Sequence, residues 1–243
     1  LLDYIALKSN QKTADKFSSG DMFDSNIRQV FCSGEALSPA TASKFFEYFD
    51  SDLHNLYGPT EAAIDVTYWQ CLKDEQSTIM PIGRPIDNTQ IYILDKYLNP
   101  VPVCVAGELF IAGTGVARGY RNRDQLNALK FIDDPFSPTV EARMYRTGDM
   151  GRFNEDGVIE YLGRIDNQVK IHGFRIELGE VEAVCESFTP INQAIVVARE
   201  TAKGSYSLVA YVSQNEGVSR DEKVSGNEKG LREYLQQKLP EYM

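Results

Sequence analysis

The chain has 243 residues, 42% hydrophobic and 25% charged. That balance suits a globular protein of one or two domains and excludes a disordered tail, a collagen-like repeat and a small disulfide scaffold. Lys and Arg number 25 against 35 Asp and Glu, a net charge of −10 with the cations scattered, so a nucleic-acid partner is not expected.

Residues 10–26 are polar and read as a loop. A short strand is expected over 27–32, ending at Ser33-Gly34-Glu35. Ser38 as N-cap and Pro39 at the first helical position then open a helix with Phe45, Phe46 and Phe49 on one face. Residues 53–56 lead into a turn at Tyr57-Gly58-Pro59-Thr60-Glu61. Strands are expected over 90–94, 108–112 and 158–162, with one helix near 124–131.

Residues 166–243 read as a separate small α/β unit. Its strands are expected over 168–171, 194–198 and 207–212. A strand at 168–171 turns at Gly173 and enters a helix carrying Leu178, Val181, Val184 or Cys185, and Phe188. Residues 214–230 read as a polar connection to a last helix with Leu231, Tyr234, Leu235 and Leu239. There are no internal repeats, and the fold class is mixed α/β. No apolar run approaches the roughly 18 residues of a transmembrane helix, so no membrane partner is expected. Cys32, Cys71, Cys104 and Cys185 are far apart, which suits a reduced, cytoplasmic setting. Two histidines disfavour a His-rich metal centre. The chain opens at Leu1 and stops within Leu239-Pro240-Glu241-Tyr242-Met243, and is expected to be a segment of a longer one.

Four stretches could carry chemistry. In Tyr57-Gly58-Pro59-Thr60-Glu61 a hydroxyl and a carboxylate follow a tight turn, which suits a phosphate with Mg²⁺. The same residues would also serve as a Thr cap with an acidic first turn. The glycines of residues 107–120 permit close backbone approach, either to a phosphate or within a β-turn-rich barrel wall. In Tyr145-Arg146-Thr147-Gly148-Asp149, followed by Tyr161 and Gly163-Arg164-Ile165-Asp166, an Asp could hold two ribose hydroxyls beside an Arg. Both are equally compatible with exposed β-turns. Residues 168–180 are, by themselves, a strand, a turn and a helix.

Taken together and in this order, residues 57–61, 107–120, 145–149, 163–182 and 239–243 resemble the amino-acid adenylation domains of non-ribosomal peptide synthetases, within the adenylate-forming superfamily. The resemblance implies residues 1–165 as the later part of a large AMP-binding domain ending in a small β-barrel. Residues 166–243 become most of a lid domain, with the hinge at Asp166. It implies an enzyme that makes an aminoacyl-AMP from ATP and passes the acyl group to the phosphopantetheine of a peptidyl carrier protein, beside condensation domains. By the same resemblance Tyr57 packs on adenine, Asn55 meets its amino edge, and Gly34, Glu35 and Ala36 line it. Thr60 meets phosphate, Glu61 holds Mg²⁺, Asp149 accepts ribose hydroxyls, and Arg164 and Tyr161 stand at the nucleotide wall. Lys170 and Gly173 belong to a segment that swings in for thioester formation.

The family's side-chain pocket maps onto Phe31, Ser33, Leu56, Ile64 and Asp65, a pattern similar to that of serine-activating domains. A buried Asp65 would need a donor, and a substrate hydroxyl is one. L-serine is therefore the expected substrate, with threonine next. Related acyl- or aryl-CoA ligases, D-alanine–carrier protein ligases and a non-catalytic synthetase remnant are the alternatives. The family's phosphate loop, its amino-group Asp and its bridging lysine fall outside residues 1–243. Cys104 stands where the family usually has Gly, and His172 where it has Arg. A turn requiring positive φ would be strained by Cys104.

Overall fold

The computed structural model describes residues 27–74, 77–171, 173–200, 206–214 and 224–243. The loop expected over 10–26, and His172, lie outside them. The chain divides into two compact units, Leu1–Ile165 and Asp166–Met243.

In the first unit, β1 (Gln29–Cys32) runs parallel to β2 (Asp52–Tyr57), joined by α1 (Pro39–Tyr48). The helix starts where its residues dictate. Ser38 accepts the Thr41 N–H at 3.0 Å, and Pro39 follows in the first turn. Its buried Ala42 and Phe45 pack with Phe49, Leu53, Cys71 and Met80 on one face of the sheet. From β2 the sheet continues antiparallel through β3 (Thr67–Cys71), β4 (Pro81–Pro85), β9 (Ile159–Arg164), β8 (Arg143–Phe153), β6 (Gly107–Gly113) and β5 (Thr89–Leu94). The short β7 (Phe131–Asp133) pairs with β8, and α2 (Asp124–Lys130) precedes it.

Alternation sorts the side chains of this sheet. Ile91 and Ile93 of β5, Leu109 and Ile111 of β6, Tyr145 of β8, Ile159 of β9 and Ile82 of β4 meet in one core. Strands so far apart along the ladder share a core only if the sheet curls around it. Where a small barrel is expected, the sheet curls, and among the described residues its ladder runs open from β1 to β5. On the opposite face Leu94, Phe110, Ala112 and Met144 form a second cluster, so β6 is buried on both faces.

In the second unit β10 (Val169–Ile171) and β11 (Phe174–Ile176) form a hairpin, followed by α3 (Leu178–Glu186). The expectation that the chain passes from Gly173 directly into a helix is thus corrected: a second strand intervenes. Two long antiparallel strands follow, β12 (Ile191–Glu200) and β13 (Tyr206–Gln214), and then α4 (Val224–Lys238). Ala194 and Val196 of β12 face Val181 and Cys185 of α3, with Ile171, Ile176 and Leu239 closing the core. The helix α4 begins inside the stretch expected to be a polar connection. Its pairs Glu228–Arg232 and Lys229–Glu233, spaced i,i+4, support a helix with little apolar face at that end.

Candidate active site

The site is built on an irregularity of β8. Along the β6–β8 ladder, Phe110 faces Arg146 and Glu108 faces Met150, so residues 147–149 stand opposite Leu109 alone. Gly148 takes φ 78, which suits glycine, at the middle of this bulge. On the other edge of β8, Asp149 faces Arg164, Met150 faces Gly163 and Gly151 faces Tyr161. Leu162 is therefore the extra residue on β9, beside Gly163 at φ 106. Register shifts on both edges of β8 thus bracket Asp149.

The Asp149 carboxylate gathers donors from distant parts of the chain. Tyr57 donates its hydroxyl to Oδ2 at 2.5 Å, and Arg164 donates from Nη1 to Oδ1 at 2.8 Å. The Arg164 and Asp149 side chains are both only 9% exposed and both lie in strands, so neither is an exposed turn residue. Burial, reinforced by the neighbouring Asp149, pushes the Tyr57 phenol well above its ordinary pKa. Tyr57 is therefore a proton donor throughout the physiological range. The Tyr161 ring stands 6.0 Å from that of Tyr57, and buried Asn55 donates its amide to the Pro81 carbonyl at 2.7 Å.

Glu61 lies on a three-residue helical turn, Thr60–Ala62. Pro59 precedes the turn and no side chain caps it, so Thr60 is not the cap. The Glu61 carbonyl accepts the Ala117 N–H at 2.8 Å, and its carboxylate accepts the Tyr120 hydroxyl at 2.5 Å. Tyr145, fully buried, places its hydroxyl 3.3 Å from that of Tyr120. The glycine-rich stretch after β6 thus packs on the Glu61 turn, and a Cβ at Gly115 would lie 3.3 Å from the Ala62 carbonyl. Tyr145 belongs to the same core as Tyr57, which ties the Glu61 end of the site to the Asp149 end.

The residues of the expected side-chain pocket lie on or beside one face of β1, β2 and β3. The pairings Phe31 with His54 and Leu56 with Tyr68 put these four on that face. Ser33 donates to Asp65 Oδ1 at 2.6 Å. Phe31 and Ile64 are 58% and 65% exposed. The expectation of a buried Asp65 awaiting a substrate hydroxyl is corrected: it is partly exposed and already accepts the Ser33 hydroxyl. Gly34, at φ 90, with exposed Glu35 and Ala36, follows the end of β1. In the second unit Lys170 is on β10, Gly173 (φ 80) is in the hairpin turn, and Asp166 opens the unit and accepts the Gln168 N–H at 3.2 Å.

Sequence reasoning assigned nothing to His54, Glu108, Tyr120 or Tyr145. His54 is 4% exposed, stacked 4.8 Å from Phe31 and 5.5 Å from Tyr68, and its ring nitrogens have no hydrogen-bond partner. Glu108, Tyr120 and Tyr145 lie within residues 107–120 and 145–149, but their partners are remote in sequence.

The AMP-binding enzyme family matches residues 1–121. Tyrocidine synthase 3 of Brevibacillus parabrevis is 49% identical over 90% of the chain, which covers 3% of that protein. Phosphinothricin tripeptide synthetase PhsB of Streptomyces viridochromogenes is 48% identical over 90% of the chain, which covers 18% of it. The chain therefore spans under a fifth of the length of these curated relatives. Among solved structures, the fused adenylation–PCP di-domain NpsA-ThdA from Klebsiella oxytoca aligns with a TM-score of 0.73 at 27% identity, over 88% of this chain and 38% of that one. The Vibrio cholerae adenylation domain AlmE, in complex with glycyl-adenosine-5′-phosphate, aligns at 0.69 and 26%, over 85% and 45%.

Proposed function

The chain belongs to the AMP-binding enzymes, with the adenylation domains of non-ribosomal peptide synthetases as its kin, and we propose that it activates an amino acid as its adenylate and hands it to a carrier protein. The observation that carries this reading is the convergence of Tyr57 and Arg164 on the buried carboxylate of Asp149. In this reading each carboxylate oxygen keeps a lone pair for a ribose hydroxyl. The Tyr57 ring, beside Tyr161, offers a flat wall to adenine. Asn55, whose N–H is committed to Pro81, has its amide oxygen as the group suited to the adenine amino edge. Gly34, Glu35 and Ala36 supply backbone there, and Arg164 a cation at the sugar.

Thr60 and Glu61 are hard oxygen donors of the kind Mg²⁺ takes, and no cluster of three His, Cys, Asp or Glu stands among the described residues. That donor set fits a Mg²⁺ held by one carboxylate with phosphate oxygens and water completing its shell. When bound, the ion would neutralise charge on the phosphates. The substrate carboxylate oxygen attacks the α-phosphorus, the bond to pyrophosphate breaks, and the acyl carbon of the adenylate is then attacked by the carrier thiol, releasing AMP. No protein nucleophile is required; holding the two substrates in line and neutralising phosphoryl charge supply the acceleration.

L-serine is the proposed substrate, on the pattern Phe31, Ser33, Leu56, Ile64 and Asp65. The Ser33–Asp65 pair supports it in a changed form: with the Ser33 hydrogen committed to Asp65, the oxygens of the pair remain as acceptors for the hydroxyl of a substrate side chain. The second unit is read as the lid, hinged at Asp166, with Lys170 and Gly173 serving the thioester step. A peptidyl carrier protein and condensation domains are the proposed partners, and the cytoplasm the proposed setting.

ATP–pyrophosphate exchange on the full-length protein, with all common amino acids and a panel of fatty and aryl acids, tests the reading. Serine should exchange at least about tenfold faster than any other amino acid except threonine, a difference worth about 1.4 kcal/mol. A faster rate with a fatty or aryl acid would replace the reading with an acyl ligase, and no exchange with any acid would leave a non-catalytic remnant.

A further inference from the structure

Glu108 lies one strand away from Asp149 and touches none of the proposed ligands. Its carboxylate nevertheless organises the bulge that presents Asp149. It is buried, and its Oε1 accepts the Gly148 N–H at 3.1 Å. Arg146 forks onto the same carboxylate, Nε to Oε1 at 3.0 Å and Nη2 to Oε2 at 2.8 Å. The neighbouring residue completes the pattern: Thr147 donates its hydroxyl to the Leu109 carbonyl at 2.7 Å and accepts the Asp149 N–H at 2.9 Å.

A bulge interrupts the ladder, and the buried N–H groups it frees must find other acceptors. Here side chains provide them, with Glu108 serving the left-handed Gly148 and Thr147 serving Asp149. We infer that Glu108, clamped by Arg146, is a positioning residue that holds Gly148 in its bulge conformation and thereby sets where the Asp149 carboxylate meets a nucleotide ribose. The inference rests on the reading of Asp149 as the ribose acceptor.

The test compares the affinity of the full-length protein for ATP and for 2′,3′-dideoxy-ATP, which lacks both ribose hydroxyls, in the wild type, Glu108→Ala and Glu108→Gln. The wild type should prefer ATP. Glu108→Ala should narrow that preference at least about fivefold, because a displaced carboxylate no longer reads the hydroxyls. Glu108→Gln, whose amide oxygen can still accept the Gly148 N–H, should retain more of the preference than Ala. Arg152→Ala removes a different ion pair on the same strand, Arg152 to Glu160 at 2.7 Å, and should leave the ratio unchanged.

Three results overturn the inference: a folded Glu108→Ala with the wild-type ratio, equal weakening of both nucleotides, or the same narrowing in Arg152→Ala. If Glu108→Ala does not fold, Arg146→Ala reads the same ratio and should narrow it at least about twofold; an unchanged ratio there counts against the clamp. A wild type that binds both nucleotides equally overturns the ribose assignment itself, and the clamp with it, which separates that failure from a failure of the clamp alone.

Discussion

Cys104 sits at φ 64 in an exposed turn, its N–H donating to the Phe153 carbonyl at 2.8 Å. The resemblance implies glycine there, and the backbone explains why: a side chain in the left-handed region costs about 1–2 kcal/mol. Glycine also loses more freedom on folding, about 0.4–1 kcal/mol. Cys104→Gly should therefore stabilise the protein by roughly 0.5–1 kcal/mol, read as a higher melting temperature with unchanged nucleotide affinity. A lower melting temperature would mean that the thiol makes an unseen contact. Ile64, β-branched and at φ 79, is the sharper case. It lies in the tight return after Gly58, where a Cβ would come within 2.3 Å of the Ile64 carbonyl oxygen, so strain is concentrated at a proposed pocket residue. Asp65 beside it shows where single-residue reasoning fails. Its chemistry as a carboxylate was legible, but whether it was already paired depended on Ser33, thirty-two positions away.

Among the elements, those with strong local signals were read correctly. Ser38-Pro39 opened a helix, and the alternating apolar residues of β5 and β6 formed strands. The strands β4 and β8 were not foreseen as such. Sequence analysis assigned no element to residues 81–85, rich in Pro and Gly, and allowed exposed turns around Asp149, yet both segments are strands whose irregularities are bulges. Gly83 is required there for a tertiary reason: at φ 88 its Cβ would lie 1.8 Å from the Tyr68 carbonyl oxygen on β3. Gly83→Ala should cost about 3 kcal/mol or more, since β3 and β4 cannot keep their register. The expected result is early exposure of the β3 and β4 amides to hydrogen exchange and a large fall in melting temperature. A loss under about 1 kcal/mol would show that the two strands can part cheaply.

At the scale of the whole molecule, the chain divides after Ile165, and the proposed hinge at Asp166 opens the second unit. Gly173, at φ 80 in the β10–β11 turn, provides a test of the separate role proposed for that unit. Proline, locked near φ −65°, cannot take its place without breaking the turn. Gly173→Pro should reduce loading of the carrier thiol at least about tenfold while pyrophosphate exchange persists within about twofold, a separation of at least about fivefold between the two half-reactions. Loss of both would count against a hairpin devoted to the second step. The sequence by itself determined the family, the mixed α/β class and the identity of the chemical groups, because these reside in residue types, their order and local periodicity. Only the tertiary structure decided that Tyr57 and Arg164 share one carboxylate, that Asp65 is spoken for, and that Glu108 governs the bulge. Those contacts join residues 15 to 92 positions apart, and nothing local in a chain records which distant donor will reach a buried acceptor.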